Sequence, residues 1–133
     1  TVTALAPALF TLNSSNLAAA YAECISSGGA QTVEDPFQVV NGAIQAQPLN
    51  LNACAETILQ LYATGLDTAI EADVQATIGS LTATVQSAGP AGTFPGLDQV
   101  DVVIPLSLAG AGSVPVVITA GGLSSNTVNV TIQ

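Results

Sequence analysis

From Phe94 to Gln133 the chain repeats apolar, β-branched side chains at every second position, and that period restricts it to strands. Val128, Val130 and Ile132 alternate with Thr127, Asn129, Thr131 and Gln133. Such a period of two places one set on a buried face and the other in water. Ser113–Ala120 repeats the pattern with Val114, Val116 and Ile118, and Gly121-Gly122 punctuates the gap before the last strand. Phe94–Pro105 supplies a third such stretch. Three consecutive strands separated by turn residues predict an antiparallel β-sandwich, and no catalytic motif lies among them.

The preceding residues extend the same reading. Thr1–Leu5 is strand-like, Pro7 interrupts it, and Ala8–Leu12 continues extended before the polar turn Asn13-Ser-Ser-Asn16. Leu17–Ile25 is rich in alanine, which favours helix, but it is short and runs into Ser26-Ser-Gly-Gly29, so it reads as a strand. Asn41-Gly42 is a strong hairpin signal and pairs Phe37–Val40 with Ala43–Gln47. Glu56–Thr64 is apolar on nearly both faces, as expected of a central strand. Val74–Ile78 and Leu81–Gln86 flank Gly79-Ser80 as a further hairpin, and Ser87–Gly96 reads as a Gly/Pro-rich connection. The sum is one domain, residues 1–133: an all-β, immunoglobulin-like antiparallel sandwich of about nine strands.

Several motifs carry a family resemblance. Pro95-Gly-Leu-Asp-Gln-Val-Asp-Val, Ile104-Pro105, Ser107-Leu-Ala-Gly110, Val116-Val-Ile-Thr119, Gly122 and Ser125-Asn-Thr-Val128 are similar to the closing half of a secreted bacterial domain. That domain is the C-terminal domain abundant in Acidobacteria, the Solibacter-type family, which often follows immunoglobulin-like repeats. Ala6-Pro-Ala-Leu-Phe-Thr11, Leu61-Tyr-Ala-Thr-Gly-Leu66 and Ala76-Thr-Ile-Gly79 match the same pattern in the same order, whereas residues 20–55 do not align with it. The family has no assigned activity, so the resemblance implies a fold and secretion, and no enzymatic chemistry.

Composition narrows the function. Lys, Arg and His are all absent against nine acidic residues, a formal net charge of −9, and only 7% of residues are charged. Average domains are ~25% charged with both signs present. A chain without Lys or Arg offers trypsin-like proteases nothing to cleave, and its Asn, Gln, Ser and Thr do the solvating. Both features suit an extracellular or cell-surface assembly. The charge disfavours nucleic acid and anionic lipid, because phosphate binding rests on Lys and Arg. Although 49% of residues are hydrophobic, no run approaches the ~20 apolar residues of a membrane helix, so membrane insertion is not expected. No charged-then-apolar leader is visible, so a leader has been removed or the chain is not secreted.

Cys24 and Cys54 form an even pair and are expected to make one disulfide; the alternative is two buried thiols. With neither His nor Lys, no Ser or Cys has an ordinary general base, and Schiff-base chemistry is excluded, so no enzyme is expected. Paired carboxylates for glycoside hydrolysis would need aromatics to hold a sugar, and the chain has two Tyr, three Phe and no Trp. No cofactor is expected. Calcium has weak candidates in Asp67, Glu71 and Asp73, then in Asp98/Asp101 and Glu34/Asp35, none with the spacing of a calcium loop. The plainer reading is solvated acids that keep the protein soluble.

The leading expectation is a secreted structural subunit that polymerises head to tail into an extracellular filament by donating a strand. Residues 1–12 are the candidate donor, with Val2, Leu5, Leu9 and Phe10 as anchors in the next copy; the alternative is a first strand folded into its own sandwich. A second expectation is an adhesion or glycan-binding module that uses Asp67–Asp73 and Ser87–Gly96.

Overall fold

The computed structural model describes residues 7–66, 74–92 and 96–133. Among them the protein is all-β and antiparallel, with twelve strands rather than about nine: β1 Ala8–Leu9, β2 Ala20–Ile25, β3 Gln31–Glu34, β4 Phe37–Val40, β5 Ala43–Ala46, β6 Glu56–Thr64, β7 Val74–Ile78, β8 Leu81–Pro90, β9 Asp98–Val103, β10 Gly112–Ala120, β11 Leu123–Ser124 and β12 Val128–Ile132. Short 3-10 turns at Leu51–Ala53 and Leu106–Leu108 are the helical elements described.

Two sheets share one strand. The first runs β3-β2-β6-β9-β8, with β1 beside the end of β6. The second runs β8-β7-β10, with β11 and β12 each pairing β10. Leu81–Ala83 of β8 pair with β7, and Thr84–Pro90 pair with β9, with a register shift between Val85 and Ser87. The strand changes partner between Ala83 and Thr84, and the extra residue just beyond bends it and increases its twist. The three strands that announce the fold are therefore divided: β9 lies in the first sheet, β10 and β12 in the second.

The inward positions are those the alternation predicts. Ala20, Ala22, Leu59, Leu61, Ala63, Val100 and Val102 of the first sheet meet Val74, Ala76, Ile78, Val114, Val116, Ile118, Val128, Val130 and Ile132 of the second in a single buried cluster. Each Val, Leu or Ile among them contributes about 1.5–3 kcal/mol relative to exposure. The alanines concentrate on β2 and β6, where the cross-strand pairs Ala20↔Leu61 and Ala22↔Leu59 set small against large.

The hairpin β4–β5 stands apart as a two-stranded sheet, and its turn residues Asn41 and Gly42 both have positive φ (52° and 79°). That geometry is the turn whose twist matches a hairpin, and Gly at its second position is why Asn-Gly is so strong a signal. Asn13 Nδ2 donates to the Ile44 carbonyl at 3.0 Å and ties the hairpin to the turn after β1.

One expectation is corrected. Ser87–Pro90 is strand, not connection, because the outer side of β9 offers these residues a hydrogen-bonding partner. Gly89 and Pro90, poor strand formers, are tolerated where β8 ends at a sheet margin. No described helix is long and apolar enough to cross a membrane.

Candidate functional site

Cys24 and Cys54 are bonded, with Cα atoms 5.4 Å apart. Cys24 faces inward from β2 and Cys54 closes the 3-10 turn Leu51–Ala53, so the bond pins the whole β3–β5 excursion against the first sheet. A Glu34 carboxylate oxygen lies within 4.8 Å of both sulfurs, and Glu34 Oε2 is buried with no hydrogen-bond partner. The sulfurs are committed to each other, so this cluster is not a metal site as it stands.

The four residues expected to anchor a donated strand separate. Val2 and Leu5 lie outside the described residues. Leu9 is buried in its own chain's core, its register partner being Ala63 of β6. Phe10 remains 45% exposed. The Asn126 side chain holds β1 in place: its Oδ1 accepts from the Leu9 amide at 2.7 Å, and its Nδ2 donates to the Leu9 carbonyl at 3.0 Å. One amide thus satisfies both backbone groups of a strand that is too short to build a ladder. Asn126→Ala is expected to cost about 2 kcal/mol, two hydrogen bonds at ~1 kcal/mol each. The loss should localise to β1, read as faster amide exchange at Leu9 while Ile118 stays protected. In sequence Ser125-Asn-Thr-Val128 stands out as a motif, but nothing local marks a task for Asn126, since Leu9 is 117 positions away in the chain.

Of the calcium candidates, Asp67, Glu71 and Asp73 lie outside the described residues. Asp98 and Asp101 cannot share an ion: three positions apart on β9, they point to opposite faces. Asp98 is buried and its Oδ2 accepts from the Leu66 amide at 2.8 Å, whereas Asp101 faces outward and accepts from Gln99 and Ser87. Glu34 and Asp35 likewise diverge, Glu34 half-buried and Asp35 exposed.

Two surface features stand out. The first is a sheet margin. The outer edge of β12 is covered by Asn16–Ala18 and Leu49, through Ala18 N to Asn129 O (3.0 Å), Asn129 N to Asn16 O (2.9 Å) and Leu49 N to Thr131 O (2.9 Å). Thr84–Pro90 of β8, by contrast, pair only with β9 among the described residues. Val85 and Ala88 point inward there but are only partly buried against the core, and an open hollow of about 390 Å³ runs along Ser87–Ala91 and Gln99. No charged residue occurs from Val74 to Leu97.

The second feature is aromatic. Tyr21 of β2 and Tyr62 of β6 meet edge to face with ring centroids 6.1 Å apart, and Phe37 of the hairpin approaches Tyr21 at 6.2 Å. With Leu12, Ala19 and Ala20 they line a cleft of about 200 Å³ on the outer face of the first sheet. The glycan-binding expectation looked for aromatics in two loops. The fold gathers them here instead, from three segments whose spacing carries no signal in sequence.

No family model matches the chain, and no match is found among curated proteins or solved structures. The resemblance to the Solibacter-type domain therefore rests on the motifs quoted for it.

Proposed function

We propose that this protein is a structural subunit of an extracellular filament, joined when the apolar segment upstream of Pro7 of one copy pairs with the β8 margin of the next. The observation that carries the reading is the condition of that margin. Among the described residues, Thr84–Pro90 present a strand edge with no second partner strand and no charged side chain of its own, above inward side chains that the core only half covers. An added strand would satisfy the main-chain groups and cover Val85 and Ala88 together, the two gains of β-augmentation. Exposed edges often carry charges that forbid such pairing; Thr84–Pro90 carry none of their own, and the carboxylates nearest them, Asp101 and Glu56, accept hydrogen bonds from Ser87 and Gln86.

Charge placement supports the same joint. Two copies at −9 repel, so contact between them needs neutral surfaces. All nine acids fall within Glu23–Asp73 or at Asp98 and Asp101, which leaves both Thr1–Ala22 and Val74–Leu97 neutral. With Leu9 bound to its own core, the donor is the segment before Pro7, with Val2 and Leu5 as its anchors, and β1 is the tether. The disulfide and the absence of cleavage sites for trypsin-like proteases fit an exposed, oxidising setting.

Electron microscopy of the purified protein, beside size-exclusion chromatography, tests this. Uniform fibres are expected, lost on deletion of residues 1–6 and lost again in Ser87→Glu, which sets an uncompensated charge beside Asp101 on the margin without touching the core. Fibres that survive both changes place the joint elsewhere. A sharp monomer peak near 13.1 kDa ends the filament reading.

A further inference from the structure

We infer that the cleft between Tyr21, Phe37 and Tyr62 is a binding site for an organic cation, an alkylated ammonium group held by aromatic rings in an acidic field. The inference does not rest on the filament: its rings stand on β2, β4 and β6, and β9 separates β6 from the β8 margin.

The rings come first. Tyr21 is 41% exposed, and with Tyr62 and Phe37 it bounds a pocket of about 200 Å³. That is below the ~300–1,000 Å³ of sites for drug-sized ligands, and it suits a single compact head group. The negative faces of aromatic rings attract cations, and quaternary ammonium groups are the usual guests of ring clusters. Ala19 and Ala20 add little bulk, so the three rings share the lining with one large aliphatic side chain, Leu12.

Charge selects the guest. Gln60 lies opposite Tyr21 on one side and opposite Asp101 on the other, and its Nε2 donates to Glu23 Oε2 at 3.4 Å. Gln99, opposite Tyr62, donates to Asp101 Oδ1 at 2.8 Å, and Ser87 donates to Asp101 Oδ2 at 3.1 Å. Glu23 thus stands two positions along β2 from Tyr21, and Asp101 stands on β9, the strand next to Tyr62. Their oxygens already accept hydrogen bonds from the protein, which lowers their value to sugar hydroxyls, yet their charge still acts across the cleft. No Lys, Arg or His anywhere in the chain offsets it. The same fact argues against a second copy as occupant, since it would bring no cationic side chain and a further −9. An anionic guest is repelled outright.

The protein carries its own reporter: it has no Trp, and its two tyrosines both line the cleft. Tyrosine emission of the full chain is followed on titration with choline, with 3,3-dimethylbutan-1-ol (the same shape with carbon in place of the charged nitrogen) and with cellobiose. Choline is expected to give a saturable change and to bind about tenfold or more tighter than the neutral isostere. Glu23→Gln with Asp101→Asn should weaken choline about three- to tenfold and leave the isostere unchanged. Tyr62→Leu should remove most of the choline response. Equal binding of choline and isostere overturns the proposal in favour of a merely apolar pocket. A response to cellobiose without one to choline overturns it in favour of a glycan platform. No saturable change with choline up to about 0.1 M overturns it altogether.

Discussion

Replacing Cys24 and Cys54 together by Ala is expected to lower stability by about 3–4 kcal/mol and the melting temperature by about 10–15 °C. The bond closes a loop across a separation of 30 residues, and the chain-entropy argument assigns most of the effect to the unfolded state, which regains the freedom the cross-link denies it. Alanine is the right replacement, because a serine hydroxyl would offer the unpartnered Glu34 Oε2 a new hydrogen bond and mask part of the loss. The damage should be uneven. β2 stays hydrogen-bonded along six register pairs with β6, whereas β3, β4 and β5 hang from β2 and the 3-10 turn. Amide exchange should therefore rise first between Gln31 and Ala46. Thermal melts with and without reductant check the size of the effect. A shift below about 1 kcal/mol would mean that the hairpin is held by the Phe37–Tyr21 and Asn13–Ile44 contacts alone. The Tyr21–Phe37 side of the cleft should loosen in the same variant, which links fold stability to cation binding.

Asp98→Ala is expected to cost about 2–3 kcal/mol, the value of a buried hydrogen bond to a carboxylate together with the amide it leaves unsatisfied. Asp98 is 1% exposed and occupies the first inward position of β9, where the alternation calls for an apolar side chain. It is tolerated there because the chain leaves β6 at Gly65, whose φ is +82°, and the next amide, that of Leu66, has a carboxylate oxygen at 2.8 Å. Asp98→Asn retains an acceptor and should cost clearly less than the alanine. Chemical denaturation of the two variants, with amide exchange at Leu66, makes the comparison. Alanine and asparagine of equal stability, or an alanine variant within about 0.5 kcal/mol of the parent, would show that the Leu66 amide finds another partner.

The disulfide and Asp98 mark how far the sequence can be read. A pair of cysteines in a chain without cations was enough to anticipate the bond, because pairing depends on number and compartment more than on position. Asp98 was legible only as an acid. Its burial, and its divergence from Asp101, follow from strand register, so the shared calcium site suggested by their closeness in sequence does not exist. Asn126 was likewise visible in a motif but without a purpose, because its partner Leu9 lies at the other end of the chain. The aromatic cleft was invisible: Tyr21, Phe37 and Tyr62 belong to three strands, and only their pairing makes neighbours of them.

Local pattern by itself determined the all-β class, the inward set of nearly every long strand and the two hairpins at Asn41-Gly42 and Gly79-Ser80. Alternation and left-handed turn residues act over two to four positions and need no partner to be recognised. Tertiary structure alone decided that β9 and β10, neighbours in sequence, lie in different sheets, that β8 runs on to Pro90 and serves both, and that one margin of the sandwich is left unpaired among the described residues. The physical reason is that a strand's backbone groups accept any partner of suitable register. Which partner arrives is settled by packing across the whole core, and no window of the sequence contains that information.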